Sequence, residues 1–325
     1  DALAKVKQLR EGHFTDASMR SIYFHPSGRG TGSSTALQSL VVYARLNGWL
    51  VAYVPDACAL TGARGDHFKI VKSATVEGCW DVPSAAAEFL AHQLAAHRAL
   101  LETLPIKKSF TIGEGERAFD PKDRSLADLL DYGLESYDPE ADDLGTVSTV
   151  LFHYRNELNR VTGCPVLIAV DSYNGFWNPS GWVDPTEISV KTFDDVRRVH
   201  QPMPASRISL TQLFLSAGSA NPGLVNGLGA VALSRSDLKP KTLDDCLQAN
   251  PHARQATFRI DPYTPEEFWE MYSHYFRLSL PELTPEDARG LPTLMPPSAV
   301  SYAYSMTSGY PAQLVEYRKK GFLLQ

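Results

Sequence analysis

The sequence predicts an α/β fold with a mainly parallel central sheet, followed by a helical C-terminal part. A strand, a glycine-rich loop, a helix and a second strand follow one another over residues 20–54, which is how a βαβ unit begins. The continuous apolar run Pro165–Val170 is typical of a strand buried on both faces of a parallel sheet. After about residue 256 the chain becomes rich in helical patterns and prolines.

Periodicity defines the elements of this first unit. Apolar and polar residues alternate over Arg20–His25, which predicts a strand that ends at the following proline. Helical spacing over Ser34–Leu46 predicts a helix, and Gly48 is placed to end it in the left-handed conformation. The apolar segment Trp49–Val54 predicts the second strand.

The same patterns predict the remaining elements. Two further strands are expected at Pro165–Val170 and Ala230–Leu233. Thr264 and Glu267 form a capping box around Pro265, which indicates the start of a C-terminal helix. The predicted helices are a short one within residues 1–19, then Pro83–Leu104, Leu126–Leu134, Thr146–Arg160, residues 265–276 and Ser308–Lys320.

The charge of the chain is acidic and unevenly distributed. The net charge is −6 and the pI is about 5.9. Residues 114–143, called the acidic segment below, hold eleven acidic residues against Arg117, Lys122 and Arg124. A protein that neutralises many phosphates normally has a basic patch or a high pI, so extensive nucleic-acid contact is not expected. The acidic segment is either a solvated surface insertion or a docking face for a basic partner.

Composition excludes several classes of protein. The 43% hydrophobic content is ordinary for a globular protein with a buried core, and the longest apolar stretches are too short to cross a bilayer. The four cysteines are scattered without CxxC spacing, which predicts neither a zinc site nor a disulfide framework and fits a reducing compartment. Because the chain begins with Asp1, we expect a leader that was removed or lies outside the numbering.

The loop after the first strand is similar to a phosphate-binding loop. The pattern of such loops is GxxxxGK[ST], in which backbone N–H groups surround the phosphates, lysine reaches the β- and γ-phosphates, and the hydroxyl binds magnesium. Ser27–Ser34 reads S-G-R-G-T-G-S-S, so Ser33 stands at the lysine position and Ser34 supplies the hydroxyl. Arg29 could restore part of the missing charge. The alternative is an ordinary glycine-rich turn between a strand and a helix.

A second group of candidate residues follows the buried strands. Asp171 comes directly after Pro165–Val170, as expected for a magnesium-binding acid, although it could simply cap the next turn. Catalytic relatives of such sites usually carry a glutamate next, to activate water, but Ser172 stands there. Ser234 follows the predicted strand Ala230–Leu233, where a polar residue often contacts the γ-phosphate.

Taken together, these motifs resemble the death-associated protein 3 family, the nucleotide-binding proteins in the head of the mitochondrial small ribosomal subunit. The resemblance runs from about Arg20 to Phe322 and is carried, in order, by GRGTGSS, NGWLVAYVPDA, DRSLADLLDYGL, PVLIAVDSYNGFW, DPYTPEEFWEMYSHY and SGYPAQLVEY. The glycine loop is shared with many NTPases. The second, third and fourth segments are much more specific.

The resemblance implies a P-loop NTPase fold of the AAA-like kind, with a nucleotide-binding domain over residues 1–255, an acidic insertion at about 105–145 and a helical subdomain over residues 256–325. It implies bound GTP, with ATP as an alternative, and Mg²⁺ held by Ser34 and Asp171. The family's lysine falls on Ser33, where this chain departs from the pattern. The implied nucleotide-binding residues are Gly28, Arg29, Gly30, Thr31, Gly32, Ser33, Ser34 and Thr35.

The resemblance also implies a place in the mitochondrial matrix within the mitochondrial ribosome. Contacts would be mainly with other mitochondrial ribosomal proteins, with limited rRNA contact and no membrane contact. The leading hypothesis is a structural, non-enzymatic ribosomal protein whose nucleotide is a folding ligand. The alternatives are an active P-loop NTPase in ribosome assembly or remodelling, and a free regulatory or adaptor protein.

Overall fold

The computed structural model describes residues 20–28, 30–62, 69–115, 118–140, 144–185, 202–234, 246, 248–249, 257–278, 304 and 308. For residues 272–278 it describes the backbone alone. The expected helix within residues 1–19 therefore lies outside the described residues. Of the expected helix Ser308–Lys320, only residue 308 is described.

A five-stranded sheet with the order β2-β5-β6-β1-β7 forms the centre of the molecule, and all its pairings are parallel. Val54 pairs with Val170, and Val170 pairs with Val231, so neighbouring strands end at the same edge of the sheet. A separate antiparallel hairpin is formed by β3 and β4. The strands are β1 (Ser21–Pro26), β2 (Leu50–Val54), β3 (Val71–Lys72), β4 (Trp80–Asp81), β5 (Val166–Val170), β6 (Gly227–Ala232) and β7 (Thr257–Ile260).

Helices cover both faces of the sheet. Alternate residues of β5 point to opposite faces, as the pleat requires: Leu167 and Ala169 pack with α1, whereas Ile168 packs in the larger core with α3, α4 and α5. The helices are α1 (Ser33–Leu46), α2 (Ala57–Leu60), α3 (Pro83–Leu101), α4 (Leu126–Glu135), α5 (Gly145–Leu158), α6 (Ser209–Leu215) and α7 (Pro265–Leu278), with 3₁₀ turns at Tyr173–Trp177, Ala205–Arg207 and Ser216–Gly218.

The predicted fold class is confirmed, and the chain has the arrangement of a P-loop NTPase domain. The glycine loop connects β1 to α1, and β5, flanked by β2 and β6, places Asp171 at the same edge of the sheet. The capping box of α7 is also confirmed, because Glu267 Oε2 accepts from the Thr264 N–H and Thr264 Oγ1 accepts from the Glu267 N–H. Among the described helices, none combines the length and apolar composition needed to cross a membrane.

Two parts of the fold differ from the sequence analysis. The hairpin of β3 and β4 and the strand β7 were not predicted, because each is short and its residues are only partly buried or mixed in character. The strand β7 pairs with β1 although it lies just beyond residue 255, where the nucleotide-binding domain was expected to end. The sheet therefore extends past that expected boundary, while the helical subdomain stays a prediction.

A buried histidine accepts a backbone hydrogen bond from the outer edge of the sheet. Strand β2 is an edge strand, and its Leu50 N–H bonds inward to Pro165 O. The next N–H, that of Val51, faces outward and donates to Nε2 of His97 on α3, at an N···N distance of 3.3 Å. Burial lowers the pKa of His97 to about 4, and the charge of Arg45 adds to the shift. His97 is therefore neutral and accepts a hydrogen bond at physiological pH.

Replacing His97 should change the pH dependence of stability. The unfolded chain binds a proton at this residue near pH 6.5 and the folded chain only near pH 4, so its stabilising effect is complete above pH 6.5 and is lost as the pH falls toward 4. Over this pH interval we expect the free energy of unfolding of the unmodified chain to fall by about 2 kcal/mol more than that of His97→Gln. Urea unfolding at several pH values measures it. The exposed His92→Gln is the control, and equal curves for both variants would contradict the assignment.

Candidate phosphate-binding site

The loop between β1 and α1 has the backbone of an anion-binding loop. Gly30 and Gly32 have positive φ angles of 76° and 97°, in the region that only glycine enters without cost. Gly32 caps α1 without a side-chain hydrogen bond, and no acidic residue occupies the first turn of this 14-residue helix. The first N–H groups of α1 and the positive end of its dipole therefore favour an anion at this position.

Contacts within the loop hold it in place. The Thr31 hydroxyl donates to Gly28 O at 3.3 Å, and Thr31 is buried. The Ser27 N–H donates to Ile260 O of β7 at 3.0 Å, so the start of the loop is anchored to the edge strand that the sequence did not predict. Arg29, the expected source of compensating charge, lies outside the described residues. Thr35 is exposed on the first turn of α1.

The two expected magnesium ligands lie in direct contact. The Ser34 hydroxyl donates to Asp171 Oδ1 at 3.0 Å, although the two residues are 137 positions apart in sequence. Asp171 is 5% exposed, and the same Oδ1 accepts from the Ser172 N–H at 2.7 Å. The backbone of Asp171 is fixed as well, because its N–H donates to Val54 O and its carbonyl accepts from the Ala57 N–H. Both side chains therefore present oxygen atoms, which Mg²⁺ prefers, beside the loop.

The lysine position has a different role in this chain. Ser33 is buried, and its hydroxyl donates to Leu233 O, at the end of β6, at 3.0 Å. A serine hydroxyl carries no charge, and this one is already used to join the start of α1 to the sheet. The described part of the loop therefore offers a phosphate its backbone N–H groups and the positive end of the α1 dipole, without the ammonium group of a full P-loop.

The position expected for a water-activating glutamate is also changed. Ser172 follows Asp171 in the left-handed conformation, with φ 52° and ψ 35°. This conformation is uncommon for a residue with a Cβ atom, and it begins the 3₁₀ turn Tyr173–Trp177. A serine hydroxyl at this position is a poor general base compared with a carboxylate.

One residue of the site, Asn174, was missed by the sequence analysis. Asn174 is fully buried, and its side-chain amide makes two hydrogen bonds to the backbone of Ser234: Nδ2 donates to Ser234 O and Oδ1 accepts from the Ser234 N–H, both at 2.9 Å. Ser234 is thus placed at the same edge of the sheet as Asp171, as expected from its position after β6. No local pattern marks Asn174, because its partner is 60 residues away.

Hydrogen bonds of three side chains therefore connect α1, the end of β5 and the end of β6 to one another. Ser34 joins α1 to the end of β5, Asn174 joins the chain after β5 to the end of β6, and Ser33 joins the end of β6 back to α1. These contacts hold the loop and both strand ends together through hydrogen bonds between protein groups. At the positions where a P-loop lysine and a water-activating glutamate were expected, this chain has Ser33 and Ser172.

Comparisons with known proteins support the family resemblance. A family model described as mitochondrial ribosomal death-associated protein 3 matches residues 6–295. A search of curated proteins found no match.

Two solved structures resemble this chain at low sequence identity. The Aeropyrum pernix ORC2 protein in ADPNP and ADP complexes has 11% sequence identity and a TM-score of 0.36, over 98% of this chain and 66% of the other. The Drosophila ORC bound to DNA has 14% identity and a TM-score of 0.36, over 98% of this chain and 59% of the other. The chain thus spans less than two thirds of these structures. The fold assignment rests on the strand order and on the glycine loop between β1 and α1.

Removing the Asn174 amide should destabilise the site without touching the loop. We expect Asn174→Ala to lower the free energy of unfolding by about 2 kcal/mol, because the two hydrogen bonds between its side-chain amide and the Ser234 backbone are lost. Chemical denaturation measures the change. Asn178→Ala, at the half-exposed end of the same 3₁₀ turn, is the matched control. A loss no larger than that of the control would contradict the role of Asn174.

Proposed function

The chain belongs to the mitochondrial ribosomal death-associated protein 3 family, and from this membership we propose that it is a structural protein of the small-subunit head of the mitochondrial ribosome. In this proposal it works in the mitochondrial matrix, in mitochondrial translation. Its P-loop holds GTP and Mg²⁺ as a structural ligand without appreciable turnover. The family match supports the ribosomal role, and the geometry of the loop supports the role of the ligand.

The contact between Ser34 and Asp171 is the observation that carries the nucleotide proposal. It brings a hydroxyl and a carboxylate together next to the uncapped start of α1, which is the donor set that a magnesium–phosphate group requires. Residues 28–35 would surround the phosphates, and Ser34 and Asp171 would hold the ion. Mg²⁺, when bound, neutralises phosphate charge and so compensates in part for the serine at position 33.

The same geometry argues against hydrolysis. Phosphoryl transfer depends on positioning and on neutralising charge as it develops. Ser33 donates to Leu233 O and carries no charge, and Ser172 offers no carboxylate to activate water. A ligand that binds only the folded state still stabilises the protein by mass action, by about 2.7 kcal/mol at one hundred times Kd. The nucleotide therefore acts as part of the structure, and an assembly NTPase is the less supported function.

Proteins are the proposed main partners within the ribosome, with limited rRNA contact. The chain is acidic overall, and phosphate-rich surfaces repel such a protein. The described part of the acidic segment borders a surface groove of about 700 Å³. The exposed residues Glu114, Glu135 and Asp138 line this groove, and so does the half-buried Tyr132. Acidic side chains around a groove favour a basic protein segment as the neighbour.

The ligand role can be tested on the purified chain. Saturating GTP with Mg²⁺ should raise the melting temperature, and no phosphate should be released above background. Ser33→Lys should tighten GTP binding about ten-fold, because it restores a charge-assisted hydrogen bond, even though the bond to Leu233 O is lost. Differential scanning fluorimetry and isothermal titration calorimetry measure these effects.

Controls separate the ligand effect from general changes in stability. Ser39→Lys adds the same charge to an exposed position of α1 and should leave GTP affinity unchanged. Asp171→Asn keeps an acceptor for Ser34 but removes the carboxylate charge, so the magnesium-dependent rise in melting temperature should disappear. A steady hydrolysis rate that Asp171→Asn abolishes would instead establish the NTPase. ATP in place of GTP tests the choice of base.

The acidic groove can be tested through assembly. The triple variant Glu114→Gln, Glu135→Gln and Asp138→Asn should leave the melting temperature unchanged, because all three residues are exposed. It should reduce incorporation into the small subunit by about three-fold or more, because complementary charge is lost. Quantitative mass spectrometry of purified subunits measures incorporation. A control triple variant at the exposed Glu77, Glu88 and Glu102 should assemble normally, and equal incorporation of both would contradict the partner assignment.

A further inference from the structure

A small cavity lies at the end of the sheet opposite the glycine loop. It has a volume of about 190 Å³ and opens between the C-terminal ends of α3 and α5, the start of α4 and the turn that leads into β5. Gly163 on its wall precedes β5, whereas Asp171 follows that strand. Five residues of strand span about 16 Å, so this basal cavity is separate from the phosphate-binding site.

The floor of the basal cavity is apolar. Leu104, Leu126 and Val161 line it, and each is less than a tenth exposed. Gly163 is exposed and leaves the entrance open, because it contributes no side chain. Its φ angle is outside the left-handed region, so a larger residue can be introduced there without backbone strain.

The rim of the basal cavity is cationic and firmly built. The buried Glu157 carboxylate accepts from the Lys107 N–H at 2.7 Å and the Lys108 N–H at 3.2 Å, and it lies 3.6 Å from Arg160 Nη1. Lys107 Nζ donates to Arg160 O at 2.7 Å and to Thr162 Oγ1 at 3.1 Å. Glu157 is the one acidic residue among those that line the cavity, and these donors already surround it.

The local charge is opposite to that of the chain as a whole. Lys107 and Lys108 are exposed, and about two fifths of the Arg160 side chain is exposed. The backbone of Arg124 lies next to this segment, because its carbonyl accepts from the Ile106 N–H at 3.0 Å. Among the residues that line the cavity, Lys107 and Arg160 outnumber the single carboxylate, Glu157. In a protein of net charge −6, this local excess of positive charge favours an anionic occupant.

Size and lining decide which anionic occupant fits. Sites for cofactors and drug-sized molecules usually have volumes of about 300–1,000 Å³, so this cavity is too small for a whole nucleotide. Its floor offers apolar contact, which suits an aliphatic side chain better than a base with polar edges. A single apolar anchor in a closed pocket, with charges around it, is the usual centre of a protein–protein contact.

We propose that the basal cavity binds an acidic segment of a partner protein, with one leucine-like side chain inside the cavity and flanking carboxylates on Lys107 and Arg160. This surface is independent of the nucleotide proposed above, so either assignment can fail without the other. Together with the acidic groove, it gives the molecule two protein-binding faces of opposite charge.

The test uses the purified full chain and a labelled peptide of aspartate and glutamate with one central leucine. Fluorescence anisotropy at low salt should show saturable binding. Replacing the leucine by alanine should weaken binding about five-fold or more, since the apolar contact is lost. Gly163→Leu, which fills the cavity, should weaken binding about ten-fold or more, whereas Gly163→Ala should retain most of it. Lys107→Gln should weaken binding, and the exposed Lys72→Gln, in the distant β3 hairpin, should not.

Unchanged melting temperatures will show that the variants are folded. If Gly163→Leu is unstable, the peptide with alanine in place of leucine keeps the test valid, because it probes the same apolar contact on the unmodified chain. Failure of the peptide to bind, or equal affinity for Gly163→Leu and the unmodified chain, would overturn the proposal. An oligouridylate of equal charge serves as the second probe. If it binds more tightly than the peptide and is blocked by Gly163→Leu, the cavity is an RNA contact and the proposal is wrong.

Discussion

One side-chain contact, the hydrogen bond from the Ser34 hydroxyl to the Asp171 carboxylate, fixes the geometry on which the candidate site depends. It forms because parallel strands end at the same edge of a sheet, which brings the loop after β1 close to the residue after β5. The neighbouring contacts of Ser33 and Asn174 then join the end of β6 to both. Hydrogen bonds within the protein thus hold the glycine loop and the two strand ends together, and serines stand at the positions of the expected lysine and glutamate.

The sequence predicted those elements whose signal is local and strong. Strands β1, β2 and β5 and the helices α1 and α4 lie within a few residues of their expected positions, because their hydrophobic periodicity is clear. Strand β6 begins at Gly227, earlier than expected. Its first residues were missed because glycines give no strand signal. Gly229 has a physical reason to be there: a Cβ atom at this position would clash with Ala217 O. Such long-range crowding cannot be read from a local pattern.

The same distinction explains the candidate site. Gly30, Gly32, Ser34 and Asp171 could be predicted because a P-loop and the end of a buried strand each have a recognisable local form. The hydrogen bonds that Ser33 makes to Leu233 O and that Asn174 makes to the Ser234 backbone could not be predicted, because these partners lie 200 and 60 residues away. The substitution at the lysine position could be recognised from sequence, but the contact that the new side chain makes required the fold.

The most direct test of the account is cryo-EM density for the native small subunit that contains this chain. We expect an intact triphosphate over residues 30–34, with an ion that contacts both Ser34 and Asp171. Density for the γ-phosphate would mean that the ligand is held and not consumed. An empty loop, or a diphosphate alone, would contradict the account, because the first would mean that the protein has no nucleotide and the second that it hydrolyses one.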